Sequence, residues 1–189
     1  MTKVRSIMVS GAAICILLAN LVTVRAQDAG SVEYKVKAGY LLNFAKFVEW
    51  PADCFAKPDS PIVIGVAGKN PFGADLEKIV AGKTIESRSL QVKYFGEGQT
   101  PSDCQILFIS SSEKRRLPQL TEQLRKKSIL TVGDMDGFMQ QGGMILLKRE
   151  GVNVRFEVNL PPAEKAGLKL SSKLLQVARG GAAAKPETK

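Results

Sequence analysis

The most informative feature of this 189-residue sequence is the absence of histidine. Without an imidazole, the chain cannot build the Ser-His or Cys-His pairs that activate most nucleophiles in hydrolases. It has only three cysteines, Cys15, Cys54 and Cys104, and they are far apart, so a zinc site with the usual ligands is excluded and no metal or other cofactor is expected. A hydrolase with an unrecognised site is therefore the least favoured class of function.

Phosphate-binding motifs are also missing. Gly65, Gly68 and Gly73 follow an apolar run and precede a helical segment, which is the place for such a loop. Their spacing satisfies neither G-x-G-x-x-G nor G-x-x-x-x-G-K-[ST]. We therefore expect these glycines to serve a tight turn rather than to bind a nucleotide.

The first 26 residues resemble a secretory signal peptide. Lys3 and Arg5 precede an apolar stretch at residues 7–24, and small residues at Val24 and Ala26 predict cleavage after Ala26. The alternative is an uncleaved membrane anchor. Since no later apolar run is long enough to span a membrane, we expect a soluble protein exported to a bacterial periplasm.

Basic residues outnumber acidic ones, with 27 Lys and Arg against 18 Asp and Glu and a formal net charge of +9. Export makes nucleic acid an improbable partner, so none is expected. The positive field favours an acidic protein surface or anionic headgroups, with a merely solvated basic face as the alternative.

Apolar runs alternate with amphipathic segments along the rest of the chain. Strands are predicted at residues 62–67, 90–95, 106–109 and 129–132, followed by a hairpin of strands 144–148 and 152–158 joined at residues 149–151. Helices are predicted at residues 34–51, 74–81, 113–127, 161–166 and 171–179. This order predicts an α/β fold, a single three-layer domain with a mostly parallel sheet, helices on both faces and a C-terminal antiparallel hairpin. The domain should cover residues 27–179, and residues 180–189 should be a disordered tail.

The opening helix, residues 34–51, carries a broad apolar face. The helical spacing of its apolar residues predicts that they are buried, while Lys37 and the other polar residues between them should face water. The face is wider than one contact with a sheet requires. We therefore consider Tyr40, Phe44 and Phe47 as a candidate surface for a dimer or another partner, with burial in the domain core as the alternative.

A small ligand, if there is one, should bind outside the carboxyl ends of the parallel strands. The residues at that rim are Gly68, Lys69, Asn70, Ser110, Ser111, Gly133 and Asp134. Their alternative role is to form turns and helix caps. A periplasmic small-molecule binding module is accordingly the second hypothesis for the function.

The two cysteines beyond the leader predict a disulfide between Cys54 and Cys104, because an oxidising compartment favours pairing. Each precedes a predicted parallel strand, so both should lie near the same end of the sheet. Two free thiols are the alternative.

Several sequence blocks together resemble the YfiR family of periplasmic proteins. They appear in the family's order and cover nearly all of the chain after the leader: YLLNFAKFVEWP (40–51), IGVAGKNPFG (64–73), CQILFIS (104–110), LTVGD (130–134), GGMILL (142–147), VRFEVNL (154–160) and AGLKLSSKLLQVAR (166–179). The resemblance implies a compact α/β domain that forms a homodimer. It also implies a regulator that binds the periplasmic domain of an inner-membrane signalling protein, a diguanylate cyclase, and represses it, lowering cyclic-di-GMP and biofilm formation.

The chain departs from the family pattern in its cysteines. The YfiR-type repressor has two disulfides, whereas this chain can form one. Cys104 matches a family cysteine at the start of its strand, and Cys54 lies in the loop before the strand at residues 62–67. The leading hypothesis is a non-enzymatic periplasmic regulator that acts by protein–protein contact.

Overall fold

The computed structural model describes residues 32–180. The predicted signal peptide, residues 27–31 and residues 181–189 of the predicted tail lie outside the described residues. The strands are β1 (Val48–Glu49), β2 (Ile62–Ala67), β3 (Thr84–Ile85), β4 (Arg88–Phe95), β5 (Ile106–Ile109), β6 (Leu130–Gly133), β7 (Ile145–Glu150), β8 (Asn153–Val158) and β9 (Lys169–Leu170). The helices are α1 (32–47), α2 (Asp75–Val80), α3 (Leu117–Leu124), α4 (Leu160–Lys165) and α5 (Ser172–Gly180), with 3₁₀ turns at Ala52–Cys54 and Ser111–Arg116.

Seven strands form the main sheet in the order β3-β4-β2-β5-β6-β7-β8. Strands β4, β2, β5, β6 and β7 run parallel, while β3 and β8 pair antiparallel at the two ends. The predicted α/β class, the mostly parallel sheet and the C-terminal hairpin are thus confirmed. The hairpin turn lies at Gly151 and Val152, two residues later than its predicted start, because Glu150 pairs with Asn153.

Two apolar cores cover the two faces of the sheet. On one face α1, α2, α4 and α5 pack against alternate strand residues such as Ile64, Phe108 and Val132. On the other face α3 packs against Leu107 and Ile109. Strand side chains alternate between faces, so each central strand contributes to both cores, which gives the predicted three layers.

Three short strands were not predicted. Strands β1 and β9 form a separate two-stranded antiparallel sheet, in which Val48 pairs with Leu170, so α1 ends at residue 47 rather than at Pro51. Strand β3 joins β4 through Glu86 and Ser87, whose φ angles are 49° and 70°. Such turns usually contain Asn or Gly, and this one contains neither, so no hairpin was predicted there.

The predicted helix at residues 113–127 is divided in the structure. It begins as the 3₁₀ turn Ser111–Arg116 and continues as α3, with Pro118 in the first turn of α3, where the missing N–H of proline costs no helical hydrogen bond. Ser171 caps α5, because its hydroxyl accepts a hydrogen bond from the backbone N–H of Leu174 at 3.2 Å.

Across residues 32–180, no helix combines the length and the apolar character needed to cross a bilayer.

Candidate functional site

The candidate partner surface on α1 divides into a buried and an accessible part. Phe44 is fully buried, with its ring 5.2 Å from that of Phe156. Tyr40 and Phe47 are partly exposed, and the Tyr40 hydroxyl donates a hydrogen bond to the backbone oxygen of Val154 at 2.9 Å. Phe44 therefore belongs to the core of the described domain, and only Tyr40 and Phe47 remain available to a partner.

Tyr40 and Phe47 line an apolar groove between α1 and α5. Its volume is about 120 Å³ and its walls are formed by Tyr40, Asn43, Phe44, Phe47, Phe156, Lys173, Leu174 and Val177. Val177 is 55% exposed on its outer wall. The ammonium group of Lys173 lies 5.4 Å from the centre of the Phe47 ring, a distance at which a cation is attracted to an aromatic face. An apolar groove with a basic residue beside it suits a partner segment that combines apolar and acidic side chains.

The predicted ligand residues at the rim of the sheet come together only in part. Lys69, Asn70, Ser110 and Ser111 line one open concavity of about 370 Å³ together with Pro71 and Ser112. The backbone N–H of Lys69 donates to the hydroxyl of Ser112 at 2.9 Å, and the Asn70 side chain bonds the backbone of Phe72 and Gly73. Part of the polar capacity of this concavity thus stabilises its own turns. Ligand binding here stays a prediction.

Gly68 approaches the next loop too closely to allow a side chain. Its φ is +81°, and a Cβ at this position would lie 2.4 Å from the Ser112 hydroxyl oxygen and 2.8 Å from Cγ of Glu113. Glu113 is buried and forms a 2.7 Å ion pair with Arg116. The glycine therefore permits two loops to pack together at the ends of β2 and β5, in keeping with the predicted tight turn.

Gly133 and Asp134 do not reach this concavity. A Cβ on Gly133 would lie 2.6 Å from the ring of Phe138, so the ring covers this glycine. The Asp134 carboxylate accepts hydrogen bonds from Lys37 Nζ at 2.5 Å and from the Tyr34 hydroxyl at 2.9 Å. Helix α1 thereby closes this part of the rim.

Lys37 is the main site residue that sequence reasoning missed. It was predicted to face water, yet it is 3% exposed and its ammonium group contacts both Glu33 and Asp134 at 2.5 Å. Burial, together with the adjacent carboxylate of Asp134, raises the pKa of the Tyr34 hydroxyl above its ordinary value. The only sequence signal was the i, i+4 spacing of Glu33 and Lys37.

Cys54 and Cys104 are free thiols in the structure. Cys104 is buried in the core beneath α3, where its sulfur would lie 3.1 Å from a Cβ on Gly65. Cys54 is only partly buried and its sulfur contacts the carboxylate of Asp53 at 3.9 Å. The two side chains thus have different surroundings, and the bridge between them stays a prediction, with two free thiols as the alternative.

We expect the two thiols to react at very different rates in the folded protein. Burial raises the pKa of the Cys104 thiol to about 12, so almost none of it is thiolate at neutral pH, and the core also shields it from reagents. An alkylating reagent without reductant should modify Cys54 alone, and unfolding in denaturant should release the second thiol. Peptide mass mapping checks this result. If both thiols stay unreactive until a reductant is added, the disulfide of the sequence prediction is present instead.

Between residues 32 and 180, no three His, Cys, Asp or Glu side chains are close enough together to hold a metal ion.

Comparison with known protein families gives a match that covers nearly all of the described residues. The family described as YfiR/HmsC-like matches residues 34–179, which is most of the chain. No curated protein matches the chain.

Proposed function

The chain belongs to the YfiR/HmsC-like family, and on that premise we propose that it is a non-enzymatic periplasmic regulatory protein. It is exported by residues 1–26, forms a homodimer, and binds the periplasmic domain of an inner-membrane signalling protein. That protein is a diguanylate cyclase, and binding represses it, which lowers cyclic-di-GMP and restrains biofilm formation. The family match over residues 34–179 is the observation that carries the proposal.

Repression by this mechanism is a shift in a conformational equilibrium. A bound regulator can stabilise the inactive state of its partner only by as much as it prefers that state to the active one. The protein therefore needs a surface that is accessible in the folded domain and specific for one conformation of the partner. The apolar groove between α1 and α5 supports such a role, because Val177 is exposed there and Phe47 is partly exposed although it packs against the main core.

The proposal predicts that mature protein used as bait recovers an inner-membrane protein with a diguanylate cyclase domain from its native membranes. Phe47→Glu should reduce this recovery about tenfold or more, since it places an unpaired charge in an apolar contact. Lys46→Glu is the matched control, because it adds the same side chain at the adjacent, exposed position outside the groove. Mass spectrometry of the eluate provides the measurement.

Folding must be checked alongside, because Phe47 also packs on the core. Circular dichroism and thermal unfolding should show a Phe47→Glu protein that remains folded at the temperature of the capture. If the wild-type protein recovers no inner-membrane signalling protein under gentle conditions, the repressor function is wrong. If Phe47→Glu and Lys46→Glu capture equally well, the groove is not the binding surface.

A further inference from the structure

Strand β8 leaves its outer edge without a partner strand among the described residues. It is the last strand of the main sheet and pairs only with β7. Successive residues of an antiparallel strand direct their backbone groups alternately toward and away from the neighbour. Asn159 donates its N–H to the Met144 oxygen at 2.8 Å, in register with the β7–β8 pairing, so the odd-numbered residues of β8 bond to β7. Val154, Phe156 and Val158 therefore direct their N–H and C=O groups outward.

These outward groups need a hydrogen-bonding partner. Among the described residues, the one hydrogen bond on this edge is from the Tyr40 hydroxyl to the Val154 oxygen, which retains a second lone pair. The remaining groups must bond either to water or to another strand, since an unpaired buried amide is costly. An edge of this kind is a template for pairing with a further strand.

We propose that the occupant is β8 of a second copy of this chain, paired antiparallel about a twofold axis at Phe156. Outward-facing residues must meet outward-facing residues, so Phe156 pairs with its own copy and Val154 pairs with Val158 of the second copy. The two main sheets then join into one continuous sheet. This inference rests on the homodimer in the proposed function and identifies the surface that forms it.

The charge pattern of β8 selects this register. With the axis at Phe156, Arg155 of each copy lies opposite Glu157 of the other, which gives two opposite-charge pairs. With the axis at residue 155, Arg155 of one copy would lie opposite Arg155 of the other. With the axis at residue 157, Glu157 would lie opposite Glu157 of the other copy. Like charges directly opposite each other are unfavourable, so the centred register is the one that the edge favours.

Side chains on both faces of β8 are compatible with this pairing. Arg155 and Glu157 already pair with Glu150 at 2.8 Å and Lys148 at 2.6 Å within one copy, and all four are about half exposed. The second copy would extend this row of alternating charges. On the opposite face, Val154 and Phe156 lie beside Tyr40 and the exposed Val177, so apolar surface continues toward the axis.

The other edge of the sheet lacks such a pattern. Beyond its two-residue pairing with β3, β4 has no further partner strand on that edge among residues 32–180, and Lys93 is the only charged residue from Leu90 to Phe95. A lone lysine on an edge strand discourages pairing between copies. Self-association is therefore expected at β8 rather than at β4.

Exchange of the two β8 charges tests the proposal by sedimentation velocity over a range of concentrations. Arg155→Glu and Glu157→Arg should each raise the dissociation constant of the dimer about tenfold, because each replaces two opposite-charge pairs with two like-charge pairs. An equimolar mixture of the two variants should dimerise again, since every pair across the interface between the variants is then of opposite charge. Lys93→Glu on the other edge should leave the dimer unchanged.

Each alternative result is decisive. If the wild-type protein is monomeric throughout, the homodimer is wrong and this interface with it. If the wild type is dimeric but the two variants dimerise equally well, the homodimer stands and the β8 interface is overturned. If circular dichroism shows that both variants are folded, yet they are monomeric and their mixture stays monomeric, opposite charges at residues 155 and 157 do not drive the association, and the interface is overturned. The pull-down measures capture of a membrane partner, and its result does not depend on these sedimentation results.

Discussion

Replacing Lys37 with methionine is expected to lower the free energy of unfolding by about 3–5 kcal/mol, because removing one member of a buried ion pair leaves the other charge without compensation. Lys37 contacts Glu33 and Asp134 at 2.5 Å, and the side chains of Lys37 and Asp134 are only 4% and 6% exposed. Methionine preserves the length and the apolar stem of the side chain, so the loss would report on the charge. Urea denaturation followed by Trp50 fluorescence measures it.

The control for this change lies on the same helix. Lys35→Met removes a lysine whose side chain is 55% exposed and whose nearest carboxylate, on Asp75, is 4.0 Å away, so its effect should be close to zero. The double variant Lys37→Met with Asp134→Asn should recover part of the loss, because the amide carries no charge but still accepts the Tyr34 hydrogen bond. If Lys37→Met and Lys35→Met are equally stable, the ion cluster does not hold α1 to the sheet.

This cluster fixes where the candidate partner surface lies. It ties α1 to Asp134, directly after β6, while Trp50 donates a hydrogen bond to the Gln105 oxygen at 3.1 Å before β5 begins. Helix α1 and the segment after it are thus fixed at both ends of the sheet. The exposed flank of α1, and with it Phe47, is therefore presented on a rigid element rather than on a loop.

Phe138→Ala is expected to cost about 3–5 kcal/mol of stability, the usual range for truncating a buried phenylalanine. Its ring is fully buried in the core beneath α3 and fills a slot between two glycines. A Cβ added to Gly133 would lie 2.6 Å from the Phe138 ring, and one added to Gly143 would lie 2.2 Å from it. Both glycines are therefore required by the ring, and the deletion should leave a cavity that backbone on two sides cannot readily fill.

A double-mutant cycle tests this slot. Gly143→Ala alone should be destabilising by about 1–3 kcal/mol through overpacking, whereas in the Phe138→Ala background it should cost much less, because its methyl group then occupies vacated space. Gly39→Ala is the control, since a Cβ there meets no atom within 4 Å and mid-helix alanine should stabilise by about 0.5–1 kcal/mol. Additive losses in the cycle would contradict the slot. Thermal and urea denaturation provide the values.

Much of the fold could be predicted from local patterns. Continuous apolar runs such as Ile62–Ala67 and Ile106–Ile109 coincide with β2 and β5, because strands covered on both faces leave no polar positions. The elements that were missed, β1, β3 and β9, are two residues long each. Segments of that length have no periodicity, and their existence depends on a partner that is distant in the sequence.

The candidate site was less predictable. Four of the seven predicted rim residues line one concavity, whereas Gly133 and Asp134 are covered by Phe138 and by α1. Of the three aromatic residues proposed as a partner surface, Phe44 is in the core. In each case the sequence placed the residue on the correct element but could not show what covers that element.

The sequence by itself determined the order of the longer strands and of the helices, the class of the sheet and the absence of histidine chemistry, since these follow from composition and from the 2.0 and 3.6 residue periods of apolar side chains. Only the tertiary structure decided that Lys37 is buried, that two glycines accommodate Phe138, and that β8 is the last strand of the main sheet, with no further partner strand among the described residues. Those outcomes depend on contacts between residues that are distant in the sequence. Lys37 and Asp134, for example, are 97 positions apart. Local patterns show which side chains prefer to be buried, and the packing of distant segments decides which of them meet.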